Sequence, residues 1–177
     1  MAVLMQGDHR VPVGFRFRPN EEELLCYYLR SKINGESFPS GLVHNCNVYG
    51  DQEPWHVWEA YKDPLDQETN ELYFFTDQPK KMRSLTNRRV GTGTWRGENT
   101  GKKVHASGSG RVIGSRTKFL YMKPGSVQDG RWLMHELELD ESLLHRKDEV
   151  KEKRYLLCIL RKIEEKKDRK RGRDEGQ

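Results

Sequence analysis

The sequence predicts an α+β domain in which two N-terminal helices precede an antiparallel β-sheet. Helical patterns occupy residues 20–33 and 54–61, where apolar side chains recur at helical spacing. Beyond them, the pattern changes to short stretches of β-branched, aromatic and aliphatic residues, most of them separated by Gly, Asn, Asp or Pro. Short strands joined by such turns are typical of an antiparallel meander.

The first predicted helix covers residues 20–33, NEEELLCYYLRSKI. Asn20 is the predicted N-cap, and Glu23, three residues later, completes a capping box. The three consecutive glutamates are favourable at the positive end of the helix dipole. Apolar side chains recur four positions apart and give the helix one apolar face, and Asn34-Gly35 is a stop signal.

A second, shorter helix is predicted over residues 54–61, PWHVWEAY. Pro54 suits the first helical position because the N–H that proline lacks has no partner there. Trp55, Trp58 and Tyr61 can share one face of this helix.

Five strands are predicted after the helices, over residues 72–75, 110–113, 118–122, 131–139 and 154–163. In the fourth, Leu133, His135, Leu137 and Leu139 alternate with Met134, Glu136 and Glu138. That alternation predicts a strand with one apolar face and one wet face. Residues 155–160 are continuously apolar and predict a central strand that is buried on both faces.

The composition indicates one domain with a modest core and excludes several classes of protein. The chain has 177 residues, of which 34% are hydrophobic. No apolar run approaches the roughly 18–20 residues that span a bilayer, and the N-terminus lacks the pattern of a secretory signal. Cys26, Cys46 and Cys158 are widely spaced, so neither a disulfide framework nor a thiolate zinc site is predicted. A reducing compartment, cytosol or nucleus, is expected.

The basic residues are concentrated in the middle of the chain. Residues 79–131 hold thirteen Lys or Arg and two acids, whereas the whole chain has a net charge of only +5. An excess of one sign on a single segment indicates a polyanionic partner. The predicted contacts are Lys80, Lys81, Arg83, Arg88, Arg89, Arg96, Lys102, Lys103, Arg111, Arg116 and Lys118. Trp95 is the only aromatic residue among them and is expected to be a core residue, so duplex binding is favoured over stacking on single strands.

No enzyme active site, cofactor site or metal site is predicted. The stretch GTWRGENTGKK, residues 93–103, misses the spacing of both the P-loop and the dinucleotide-binding motif. His44, Cys46 and His56 do not have the spacing of a zinc module. His135 and Glu136 are neighbours on a strand, so their side chains point to opposite faces and cannot act as a pair.

Seven short motifs, taken in order, resemble the NAC domain of plant transcription factors. They are PVGFRFRPNEEEL (12–24), EPW (53–55), YFF (73–75), NR (87–88), GTGTW (91–95), WLMHEL (132–137) and YLLCILRKI (155–163). The resemblance covers residues 11–163, which are the expected domain, with residues 1–10 as an N-terminal arm. Residues 164–177 have no large apolar side chain and are expected to be a disordered tail.

The resemblance implies a twisted antiparallel sheet flanked by helices, similar to the sheet of WRKY domains. It also implies a nuclear, dimeric transcription regulator that places a strand edge in the DNA major groove. The family's inter-subunit salt bridge carries over to Arg16 and Glu23. A capping role for Glu23 is the simpler alternative, and one carboxylate can serve both.

The chain departs from the family at the motif that enters the groove. Trp95–Lys103 is two residues longer than the usual motif and has an acid at Glu98, and Leu85 stands where an arginine is usual. Arg88, Arg96 and Thr100 are the expected base contacts, and the other cations are expected to contact phosphates. The alternative function is a short interaction module that dimerises with full-length family members and modulates their DNA binding.

The basic tail is a candidate nuclear import signal or an additional phosphate-binding arm. Its cations are Lys166, Lys167, Arg169, Lys170, Arg171 and Arg173. A tail that merely carries solvated charge is the alternative.

Overall fold

The computed structural model describes residues 3–6, 9–12, 14–78, 87–97, 101–144 and 154–164. A small hairpin pairs β1 (Val3–Gln6) with β2 (His9–Pro12). Helix α1 spans residues 21–34, as Glu21–Glu23, a π-helical segment Leu24–Leu29 and Arg30–Asn34. Helix α2 is Pro54–Tyr61, and a 3₁₀ turn covers Glu141–Leu143. The remaining strands are β3 (His44–Asn45), β4 (Glu71–Gln78), β5 (Asn87–Val90), β6 (Gly93–Gly97), β7 (Lys102–His105), β8 (Val112–Met122), β9 (Trp132–Leu139) and β10 (Arg154–Lys162).

Eight of these strands form one sheet in the order β3-β4-β10-β9-β8-β6-β5, and β7 pairs with β8 as well. Every pairing in this sheet is antiparallel except that of β3 with β4. The α+β class is therefore confirmed. No helix in the described part of the chain has the length and apolar character to cross a membrane.

A separate buried cluster covers each face of the sheet. On the α2 face, Val57 and Trp58 of the helix pack on strand residues that include Leu156 and Cys158. On the α1 face, the helix packs on residues that include Leu157. Strand β10 thus alternates between two cores, as its continuous apolar run predicts.

Helix α1 begins and ends where its sequence predicts. The Asn20 side chain accepts a hydrogen bond from the Glu23 N–H at 2.8 Å, and the Glu23 carboxylate accepts one from the Asn20 N–H at 2.8 Å. Gly35 ends the helix with a φ of 69°, in the left-handed region that favours glycine. Leu24, Leu25 and Leu29 are buried, which fixes the helix on its face of the sheet.

Helix α2 also matches its prediction. Pro54 occupies the first turn, and Trp58 is buried. Trp55 and Tyr61 are partly buried and pack against the same cluster as Trp58. The aromatic side of this helix therefore closes the α2 face.

Two strand predictions were wrong. The predicted strands 110–113 and 118–122 are one continuous strand, β8, in which the polar residues Ser115 and Arg116 between them pair with both β7 and β9. Strand β9 has no wet face, because Glu136 is buried opposite Cys158 of β10, whereas Leu133 is only partly buried. A charged side chain belongs in a core only when it has a partner there, and Glu136 has one.

We expect Gly114→Ala to destabilise the domain by about 1–3 kcal/mol, because the added Cβ atom overpacks the space between β8, the β9 backbone and helix α1. A Cβ atom at Gly114 would overlap the Glu138 carbonyl oxygen of β9 and lie 3.0 Å from Leu25 Cδ1 of α1. Gly108→Ala is the matched control, since nothing lies within 4 Å of that Cβ position. Urea unfolding of both variants measures the difference, and equal stabilities would contradict this packing.

Candidate nucleic-acid interface

The stretch that contains Trp95 runs along one side of β8 in two pieces. Strand β6 ends with Gly97 opposite Phe119, and β7 begins with Lys102 opposite Arg116. Between these two pairings the chain has four residues, 98–101, whereas β8 has two, Thr117 and Lys118. This excess of two matches the two extra residues in the Trp95–Lys103 motif.

Cations line the α1 face of the sheet beside this interruption. The register sets Arg96 next to Leu120 and Lys118 next to His135, on the same face as Leu137 of the α1 cluster. Arg89 lies on the same face at the outer strand β5, opposite Thr94. Further exposed cations on this face are Lys102 and Arg161. Helix α1 covers only one end of the face, so these cations are exposed.

His135 lies within this positive surface. Burial lowers the pKa of its imidazole, and the nearby charges of Arg116 and Lys118 lower it further. The imidazole is therefore neutral at pH 7, and the positive potential comes from the arginines and lysines around it.

Arg88 does not belong to this surface, although it was predicted to contact a base. Its side chain is only 4% exposed and forms a two-pronged ion pair with Glu136, in which Nη2 lies 3.1 Å from Oε1. The guanidinium lies 4.6 Å from the ring centroid of Tyr49 and 4.9 Å from that of Phe119. The Tyr49 hydroxyl donates to the same carboxylate. Arg88 is thus held inside the α2 face, because Glu136 needs a buried cation.

Trp95 is a core residue, as predicted. It is 1% exposed, and its indole N–H donates to the Val48 carbonyl oxygen at 3.3 Å. Its ring meets Tyr121 edge-on at 5.7 Å. Trp95 therefore anchors β6 while its neighbour Arg96 points to the opposite, basic face.

Glu53 fixes the turn between β5 and β6, a role that motif reasoning missed. Its carboxylate accepts hydrogen bonds from the Thr92 N–H at 2.7 Å, from the Thr92 hydroxyl and from the Tyr121 hydroxyl at 2.6 Å. Lys123 Nζ lies 3.9 Å away. Burial alone would raise the pKa of Glu53, but these hydrogen bonds lower it overall. The carboxylate is therefore ionised at neutral pH and holds β6 in place.

The other predicted cations have varied surroundings. Lys103 is exposed on β7, and Arg111 is exposed with a hydrogen bond to Ser142 Oγ at 3.0 Å. Arg116 is half-buried and paired with Glu21. The predicted contacts Lys80, Lys81, Arg83 and Thr100, and the tail cations Lys166, Lys167, Arg169, Lys170, Arg171 and Arg173, lie outside the described residues.

Both residues of the predicted inter-subunit salt bridge are exposed. Arg16 Nε lies 4.0 Å from a Glu68 carboxylate oxygen, and both side chains are largely in solvent. Glu23 caps its own helix and remains exposed. The two side chains are therefore accessible to a second chain.

A family model described as No apical meristem (NAM) protein matches residues 12–139. The chain belongs to this family, the NAC domain proteins. It is 34% identical to NAC domain-containing protein 43 of Arabidopsis thaliana over 153 residues, 84% of this chain and 40% of that protein. It is also 34% identical to Protein SOMBRERO of the same plant, over 94% of this chain and 43% of that protein. NAC domain-containing protein 54 of Oryza sativa subsp. japonica is 36% identical over 74% of this chain and 20% of that protein.

The NAC proteins are a family of plant transcription factors, and this chain spans less than half the length of the relatives named here. Within the part of the NAC domain that the structure describes, no three His, Cys, Asp or Glu side chains cluster as a metal site. The three cysteines are free thiols, and burial raises the pKa of each.

We expect Arg88→Met and Glu136→Leu each to destabilise this NAC domain by about 3–5 kcal/mol, because either leaves an unpaired charge in the core. The double variant should regain most of that loss, since it removes both charges. A part remains lost because the Tyr49 hydroxyl no longer has its acceptor. Arg89→Met, at an exposed neighbouring position, should change stability by less than about 0.5 kcal/mol. Urea unfolding gives all four values, and a stable Arg88→Met would contradict the buried pair.

Proposed function

We propose that this NAC domain binds double-stranded DNA as a dimer and regulates transcription in the nucleus. The observation that carries the proposal is the row of exposed cations on the α1 face, beside the interruption between β6 and β7. The phosphates of a DNA duplex attract such a surface at long range. Clustered Lys and Arg side chains then displace the counterions of the DNA.

The proposed phosphate contacts are Arg89, Lys102, Lys103, Arg111, Arg116 and Lys118, together with Lys80, Lys81 and Arg83. Arg96 and Thr100 are the proposed base contacts. Arg96 precedes Gly97, the last residue of β6 that pairs with β8, and Thr100 follows three residues later in the motif. Arg88 is omitted because its guanidinium is already bound to Glu136.

The proposal assigns no catalytic step to the domain. The buried carboxylates Glu53 and Glu136 each have their partners inside the fold, which supports structural roles for both. The proposed domain limits are residues 11–163, and the tail from 164 to 177 is proposed as the nuclear import signal.

Dimerisation is proposed through Arg16 and Glu23. The exposure of both groups supports it, since each can exchange its present contacts for one on a second copy. Two copies would present two basic faces to one duplex, and linked binding raises the effective concentration of the second face.

We expect affinity for duplex DNA to fall steeply with salt, because each phosphate contact releases about 0.9 counterion. Lys118→Ala should weaken binding to a selected site and to random duplex equally, and should lower the salt slope by about 1. Arg96→Ala should weaken binding to the selected site by about 1–3 kcal/mol more than to random duplex. Anisotropy titrations at several salt concentrations, on sites selected from random duplexes, measure these changes.

Lys62→Ala is the control for these titrations, because Lys62 follows α2 and pairs with Glu59 on that helix. Its DNA affinity should match that of the wild type. Absent or salt-insensitive binding by the wild type would contradict DNA binding and would support the interaction module.

We expect Arg16→Glu to weaken the dimer at least about tenfold, because it leaves Glu23 facing a like charge. Glu23→Gln should weaken it as well, while a Gln at this position still completes the capping box. Arg16→Lys, which keeps the charge, is the matched control. Sedimentation equilibrium gives the dissociation constants, and a dimer that survives Arg16→Glu unchanged would rule out this pair.

A further inference from the structure

We propose that Glu22 is a positioning residue that holds the β7–β8 hairpin against helix α1 and so aims its cations at DNA. The role rests on the proposed DNA binding and concerns a carboxylate that contacts no DNA itself. In this proposal, a contact between helix α1 and the turn of the hairpin supports DNA binding indirectly.

The contact joins the first turn of α1 to the turn of the hairpin. Glu22 Oε2 accepts hydrogen bonds from the Ser107 N–H at 3.0 Å and from the Ser107 hydroxyl at 2.8 Å. These two bonds lower the pKa of Glu22, so the carboxylate is ionised at neutral pH and both bonds are charge-assisted. The turn itself is closed by the Ala106 N–H on the Arg111 carbonyl oxygen at 2.8 Å.

Strand β7 depends on such a contact because it has little other support. It is four residues long, and in the described structure it pairs only with β8. Val104 is its one buried side chain and packs in the cluster of Leu24 and Leu25. Beyond its ladder with β8, the strand that carries Lys102 and Lys103 is held by the packing of Val104 and Ala106 in this cluster and by the bonds of Ser107 to Glu22.

Glu21 has a different role from its neighbour Glu22. The two roles predict opposite changes in DNA affinity when the charge is removed. Glu21 pairs with Arg116, so it competes with a phosphate for that cation. Removing the Glu21 charge should therefore tighten DNA binding. Removing the Glu22 charge would also tighten binding if charge alone acted, whereas a lost positioning contact weakens it.

The first experiment follows the contact in the free 177-residue chain. Amide hydrogen exchange by NMR should show the Ser107 N–H protected in the wild type and in Glu21→Gln, and faster in Glu22→Ala, which has no side-chain acceptor. Ser107→Thr keeps both donors and should keep the protection. A Ser107 amide that exchanges equally fast in wild type and Glu22→Ala would overturn the contact.

The second experiment titrates the same variants with duplex DNA. Glu22→Ala should bind about fivefold more weakly, the equivalent of one net hydrogen bond. Glu21→Gln should bind more tightly with a salt slope steeper by about 0.9. Ser107→Thr should bind like the wild type, and so should Glu59→Gln, an exposed charge-matched control on α2.

The outcomes separate this role from the proposed function. Wild-type binding together with equal or tighter binding by Glu22→Ala overturns the positioning role alone. A wild type that binds no duplex overturns the proposed function, and the positioning role with it.

Discussion

The burial of β10 on both of its faces is the constraint on which the rest of the structure depends. Its residues alternate between two cores, so each face of the sheet needs a cover. Helix α2 and the aromatic side chains around it close one face, and α1 closes one end of the other. The uncovered remainder of the α1 face is where Arg96 and Lys118 are exposed, so the layering of the core decides where the basic surface can lie.

Buried polar contacts then hold the outer strands to this core. The Arg88–Glu136 pair links β5 to β9, and Glu53 links the loop before α2 to the turn between β5 and β6. Unpaired, either carboxylate would destabilise the interior by several kcal/mol, so each specifies one arrangement of its strand. The outer strands that carry Arg89 and Arg96 thus keep their positions through carboxylates on the opposite, α2 face of the sheet.

Features that depend on neighbours in sequence were predictable, and features that depend on distant partners were not. The capping box of Asn20 and Glu23 and the stop at Gly35 are local, and both were predicted correctly. The partner of Arg88 lies 48 residues away, and motif position alone suggested that this arginine faces DNA. The alternation in β9 likewise predicted a solvent-exposed face, and that prediction was wrong. A pattern of polar residues does not reveal that Glu136 pairs with a cation in the core. Trp95 was expected in the core and Arg96 as a contact, and the two-residue alternation along β6 explains why the first is buried and the second exposed.

The interruption between β6 and β7, residues 98–101, lies between two strands that the sheet holds in fixed register. The ladder with β8 resumes at Lys102 in register with Arg116, so residues 98–101 can differ in number without moving either flanking strand. Loop-closure entropy changes only slowly with loop length, so such changes are thermodynamically mild. Under the proposed DNA binding, a change of length here would alter which bases the motif can reach and leave the scaffold unchanged. Selection could then act on recognition at this point while the stability of the fold stays nearly the same.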